Sequence, residues 1–128
     1  MNSTTFVSIV DDDESVRLAT ASLVSSLGWQ TRVFASAEEF LRSPQIGEAS
    51  FLISDVRMPR MSGVEMHDEL LKRGHAPPTI FLTAFPTAAL QAKVHTNGVL
   101  AVLAKPIGAA AMAHWLSLAL GPPGQTKV

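Results

Sequence analysis

The chain predicts an α/β domain in which five strands alternate with five helices and form one parallel sheet covered on both faces. Three observations predict it. Five short apolar, β-branched runs are spread along 128 residues, segments of helical periodicity separate them, and four of the runs end at an acid, a hydroxyl or a lysine. Alternation of this kind implies right-handed βαβ crossovers and a doubly wound parallel sheet.

Thr5–Val10 (TFVSIV) reads as a buried first strand running into Asp11-Asp12-Asp13. From Glu14 to Leu27, apolar residues recur at Val16, Ala19, Leu23, Val24 and Leu27, a helical spacing that Gly28 stops. Trp29–Phe34 alternates as a second strand. Ser36 followed by Glu39 is a capping box for a short helix through Leu41. Ser50–Ser54 (SFLIS) is a third strand ending at Asp55. Ser62 with Glu65 caps a helix through Arg73, with Gly74 as terminator. Thr79–Leu82 is a buried fourth strand ending at Thr83. Pro86 suits the first turn of a helix reaching Asn97-Gly98, and Val99–Leu103 makes a fifth strand before Lys105-Pro106. The last helix is expected over Gly108–Leu120, which sets a domain of residues 1–120 and a tail or linker stub of 121–128.

Composition narrows the function. Without cysteine there is no disulfide, thiolate metal site or Cys nucleophile. The start MNSTTF has no signal-peptide pattern, and no apolar run is long enough to cross a bilayer, so a cytoplasmic protein is expected. A net charge of −1 gives no reason to expect nucleic acid or a membrane as a direct partner. The charge is unevenly spread: all eleven acids lie at or before Glu69, so residues 1–69 carry −6 and residues 70–128 carry +5.

In open parallel sheets, ligands bind beyond the carboxyl ends of the strands. There the chain places Asp11 and Asp12, Asp55, Thr83 and Lys105. Taken singly each is ordinary: Asp13 starts a helix, an aspartate often fills a turn, and a lysine is usually a solvated charge. Together, clustered carboxylates call for a cation, and oxygen ligands without His or Cys suit Mg²⁺. A carboxylate can also attack phosphorus, provided a metal, a lysine and a hydroxyl balance the charge on the phosphoryl oxygens. His67, His75, His95 and His114 share no spacing and read as surface or packing residues, and Trp29 and Trp115 read as core or interface anchors.

The strings IVDDD, SDVRMPRMSG, TIFLTAF and LAKP, in this order over about residues 5–120, closely resemble the receiver domain of bacterial response regulators. The resemblance implies a flavodoxin-like, CheY-like (βα)5 fold with strand order 2-1-3-4-5. It also implies a phosphorelay in which Asp55 accepts a phosphoryl group from a sensor histidine kinase. Mg²⁺ would be held by Asp12, by Asp11 largely through water, by Asp55 and by the Arg57 backbone carbonyl. Thr83 would bond the phosphoryl oxygen, Lys105 would pair with it, and the Lys105-Pro106 bond would be cis. Output would pass through the face of the fourth helix, fifth strand and fifth helix to a second copy, an output domain or a partner protein. Such a domain is a phosphoacceptor that promotes its own phosphotransfer and dephosphorylation, not an enzyme in the usual sense.

The chain departs from that pattern in three places. Val102 stands where the family carries Tyr or Phe, Phe85-Pro86-Thr87 replaces a glycine-acid pair, and Ile107 replaces the common Phe. Two other functions compete. An aspartyl-phosphate phosphohydrolase wants an acid two residues after its nucleophile, where this chain has Arg57, and places that nucleophile after its first strand. A flavodoxin-like nucleotide or flavin module wants a glycine-rich loop where Asp11–Ser15 stands. The last helix, rich in Ala109, Ala110, Ala111 and Ala113 beside Trp115 and Leu116, either turns Met112, Trp115 and Leu116 to the sheet or offers an apolar docking patch.

Overall fold

The computed structural model describes residues 5–121, so the tail expected over 121–128 lies outside the described residues except for Gly121. The five strands are β1 (Phe6–Val10), β2 (Gln30–Phe34), β3 (Ala49–Asp55), β4 (Thr79–Thr83) and β5 (Ala101–Ala104). Between and after them lie α1 (Glu14–Ser26), α2 (Ala37–Arg42), α3 (Gly63–Lys72), α4 (Ala88–His95) and α5 (Ala109–Leu120). All strand pairs are parallel, in the order β2-β1-β3-β4-β5. The expected architecture and strand order are both present.

Burial explains why some runs were easier to read than others. The three inner strands are buried on both faces, with apolar residues at their centres as a covered parallel sheet requires and polar ones mainly at their ends. The outer strands β2 and β5 stay partly exposed. Alternate residues feed separate cores. Val7, Ile9, Phe51, Ile53, Ile80 and Leu82 point to one face, where Val24 of α1 and Met112 and Leu116 of α5 close the packing. Leu52 meets Met66, Leu70 and Phe40 on the other face, and Phe81 meets Val64, Val94 and Val99.

Several boundaries differ from the expected ones, each for a local reason. The fourth helix does not begin at Pro86. Thr87 is its cap, its hydroxyl accepting from the Leu90 N–H at 3.1 Å, and Pro86 stays in the preceding loop. The fifth strand starts at Ala101, because the Val99 N–H is still tied to the Val94 carbonyl at the end of α4. Ser36 does cap α2, but Glu39 returns its carboxylate to the N–H of Ala35 and not to the cap's own N–H. At α3 the capping box of Ser62 and Glu65 is complete. A short 3₁₀ turn over Ile46–Glu48, not foreseen, leads into β3.

His67 and Trp29 are packing residues, as expected. His67 is buried edge-on to Phe81, with ring centroids 6.1 Å apart, and burial holds its imidazole below its ordinary pKa despite the opposing charge of Asp68. In α5, Met112 and Leu116 face the sheet and Trp115 is half-buried. Ala109, Ala110 and Ala111 remain in solvent with His114 and Leu118.

Candidate functional site

The sheet delivers its polar residues to one rim because parallel strands all end on the same edge. Asp11 follows β1, Asp55 ends β3, Thr83 ends β4, and Lys105 follows β5. Strand register sets their depth: Asp55 pairs with Leu82, and Thr83 pairs with Ala104. The strand order places β3 next to β1 at the point where the winding reverses, so the two acidic ends are neighbours.

Asp11, Asp12 and Asp55 each present a carboxylate oxygen, all within 4.8 Å of one another. Asp11 and Asp55 are buried, whereas Asp12 is exposed. The Lys105 ammonium bridges the two buried acids, 3.0 Å from Asp11 Oδ2 and 3.3 Å from Asp55 Oδ1. Burial raises the Asp55 pKa above its ordinary value, repulsion from Asp11 adds to this, and Lys105 only partly offsets it. Burial alone would lower the Lys105 pKa. Its hydrogen bond to Asp11 and the charges of Asp11 and Asp55 outweigh that, and the net shift is upward.

Thr83 is buried beside them, its hydroxyl accepting weakly from the Phe85 N–H at 3.4 Å while its carbonyl accepts from the Lys105 N–H at 2.9 Å. The Lys105-Pro106 bond is cis. Arg57 extends from the loop after β3 with its side chain in solvent and forms no ion pair among the described residues. Asp13 caps α1, its carboxylate accepting from the Val16 N–H, which bears out its reading as a helix-start acid. Thus Asp11, Asp12, Asp55, Thr83 and Lys105 share one rim, with Arg57 at its border.

Three supporting contacts were not foreseen. Arg17 Nη1 donates to the Asp11 carbonyl at 2.8 Å. The Ser54 hydroxyl, fully buried, donates to the Asp55 carbonyl at 2.8 Å. Gly63, at the start of α3, leaves no space for a side chain, since a Cβ there would lie 2.2 Å from the Asp55 carbonyl oxygen. The pairs Ser54-Asp55 and Ser62-Gly63 are visible in the sequence, but nothing there says that they touch.

An all-oxygen cluster of three acids answered by one ammonium is suited to a hard cation and to charged oxygen ligands. The class is therefore a doubly wound α/β domain with a carboxylate–hydroxyl–ammonium site at its switch point. Comparison with known proteins narrows it: the family model described as the response regulator receiver domain matches residues 7–117. The chain belongs to that family. It is 37% identical over 98 residues to the response regulator protein TmoT of Ectopseudomonas mendocina, covering 77% of this chain and 44% of that one. It is also 36% identical over 100 residues to the transcriptional regulatory protein TdiR of Thauera aromatica, covering 78% and 44%. The chain thus spans under half the length of these two relatives. Its fold matches that of the chemotaxis protein CheY4 of Vibrio cholerae with a TM-score of 0.82 at 24% identity, covering 91% of this chain and 99% of that one. Among the described residues, no helix is long and apolar enough to cross a membrane.

Proposed function

We propose that this receiver domain accepts a phosphoryl group on Asp55 from a phosphohistidine of a sensor histidine kinase in the cytoplasm. The observation that carries the proposal is the convergence of Asp11, Asp12 and Asp55 within 4.8 Å, with Lys105 bridging the two buried acids. An Asp55 carboxylate oxygen attacks phosphorus, the acyl phosphate forms, and the P–N bond breaks with its electron pair leaving on the imidazole. Asp12, Asp11, Asp55 and the Arg57 backbone carbonyl would hold Mg²⁺. When bound, the ion would offset the negative charge of the phosphoryl oxygens. Lys105, freed from one carboxylate as Asp55 becomes an acyl phosphate, pairs with a phosphoryl oxygen. Thr83 gives up its weak bond from the Phe85 N–H and turns its hydroxyl to another. The domain is a phosphoacceptor that promotes its own phosphotransfer and dephosphorylation. Its output passes through α4, β5 and α5 to a second copy, an output domain or a partner protein.

Acetyl phosphate or phosphoramidate with Mg²⁺ tests the proposal by intact mass. One phosphoryl group should add to the wild type and none to Asp55→Asn. Labelling of the Asn variant to the same extent would refute the assignment. Asp12→Ala should abolish the reaction as well, and undiminished Mg²⁺ affinity in that variant would remove Asp12 from the site.

A further inference from the structure

We infer that Arg17 is a positioning residue that sets the aim of the two acids of the β1–α1 loop. The inference rests on the phosphoacceptor reading above and adds to it a residue outside the acid–hydroxyl–ammonium cluster. Helical spacing gives Arg17 one natural partner, Glu14 three residues before it, while Asp13 four before it caps the helix with its carboxylate on the Val16 N–H. It forms an ion pair with neither among the described residues. Its guanidinium instead goes to the backbone carbonyl of Asp11, at 2.8 Å.

That bond completes the fixation of Asp11. The Asp11 N–H donates to the Phe34 carbonyl at 3.1 Å, Oδ1 accepts from the Asp13 N–H at 2.9 Å, and Oδ2 accepts from Lys105 at 3.0 Å. With the carbonyl on Arg17, every polar group of Asp11 has a partner. The Asp11 carbonyl belongs to the peptide that leads into Asp12, so the guanidinium fixes the plane from which the exposed Asp12 carboxylate projects. Arg17 is itself anchored, since its N–H donates to the Asp13 carbonyl in the first turn of α1 at 2.9 Å. A charge-assisted bond to a half-buried carbonyl is of the stronger kind. Groups that orient metal-binding side chains from one layer out commonly change metal affinity about tenfold or more when removed.

The test is Mg²⁺ titration by calorimetry on the full chain, with thermal melts of each variant. Arg17→Met should weaken Mg²⁺ binding about tenfold, and Arg17→Lys, which keeps a cationic donor, should fall between it and the wild type. Arg73→Met is the control. Arg73 also donates Nη1 to a backbone carbonyl, that of Leu41 at 3.2 Å, far from the rim in sequence and fold. Its loss should lower the melting temperature without changing Mg²⁺ affinity. Folded Arg17→Met with Mg²⁺ affinity within twofold of wild type would overturn the inference, as would equal weakening in Arg73→Met. Should Arg17→Met not fold, Arg17→Ala, which also removes the donor to the Asp11 carbonyl, is read by the same twofold criterion. A wild type that takes up no Mg²⁺ would instead overturn the phosphoacceptor reading itself, so the two failures can be told apart.

Discussion

Gly63→Ala should damage the candidate site from a position that contributes no functional group. The residue is glycine for lack of space, because its backbone lies outside the left-handed region and any residue could adopt it. A Cβ there would sit 2.2 Å from the Asp55 carbonyl oxygen, 2.9 Å from Ser54 Oγ and 3.2 Å from the Asp55 carbonyl carbon. Real Cβ atoms essentially never approach another heavy atom within 3.0 Å, so the backbone of α3 or that of Asp55 must retreat by at least about 0.8 Å. The retreat strains two bonds at once, the Gly63 N–H to the Val56 carbonyl at 2.9 Å and the Ser54 hydroxyl to the Asp55 carbonyl at 2.8 Å. Overpacking of this kind costs about 1–3 kcal/mol, which lowers the melting temperature by roughly 4 °C per kcal/mol in a domain of this length. Displacing a reacting carboxylate by about 1 Å costs on the order of a hundredfold in rate. Urea unfolding and intact-mass phosphorylation by acetyl phosphate read the two effects separately. Gly108→Ala, where nothing lies within 4 Å, should leave the labelling rate unchanged, at the modest cost of alanine at the cap of α5. A Gly63→Ala protein that is within about 0.5 kcal/mol of wild type and labels at the wild-type rate would refute the reasoning.

Asp55→Asn should stabilise the metal-free protein at pH 7. The folded Asp55 pKa lies above its unfolded value, so the wild type loses stability as pH rises through the folded pKa, and the advantage of Asn should shrink toward pH 4 in urea midpoints. His67 has the opposite sign. Its folded pKa is depressed by burial, so its contribution is full above the unfolded pKa and is lost as pH falls through the folded one. His67→Leu should flatten the loss of stability between pH 7 and pH 5, and an unchanged slope would show that other groups carry it. Ser62→Ala removes the hydroxyl that accepts from the Glu65 N–H at 3.1 Å and should cost about 1 kcal/mol in urea unfolding, with no change in Mg²⁺ affinity.

The strands and the rim were legible because both are written in local sequence. A strand buried on two faces must be a short apolar run, and a parallel sheet puts the residue after each run on the same edge, so Asp11, Asp55, Thr83 and Lys105 could be placed together from their spacing alone. Helix starts were legible where a side chain makes the cap, as at Ser36 and Ser62. Pro86 misled because its fixed backbone suits a first helical turn, yet Thr87 supplies the hydroxyl that the free N–H groups of α4 require. Gly63 against Asp55, and Arg17 on the Asp11 carbonyl, were not legible. Both depend on distances across a loop, and Arg17 passes over the acid that helical spacing offers it.

The charge state of the rim ties these observations together. Three carboxylates stand against a single bridging ammonium, and the two shifted pKa values describe one imbalance from its two sides. Asp55 resists ionisation because it is buried and faces Asp11, while Lys105 holds its proton because both buried acids claim it. Neutralising Asp55 by protonation would relieve the repulsion but would also remove the proposed nucleophile. A divalent cation relieves it while leaving the carboxylate ionised, which is the form that can attack phosphorus. The same imbalance explains why the supporting bonds go to backbone carbonyls and not to the carboxylates. Arg17 on the Asp11 carbonyl and Ser54 on the Asp55 carbonyl fix the acids in place while leaving free the carboxylate oxygens that a bound cation would need. An ion pair from Arg17 to Asp12 would hold the loop as firmly, but it would fill the open side of the cluster with a fixed positive charge and leave the cation fewer oxygens to bind.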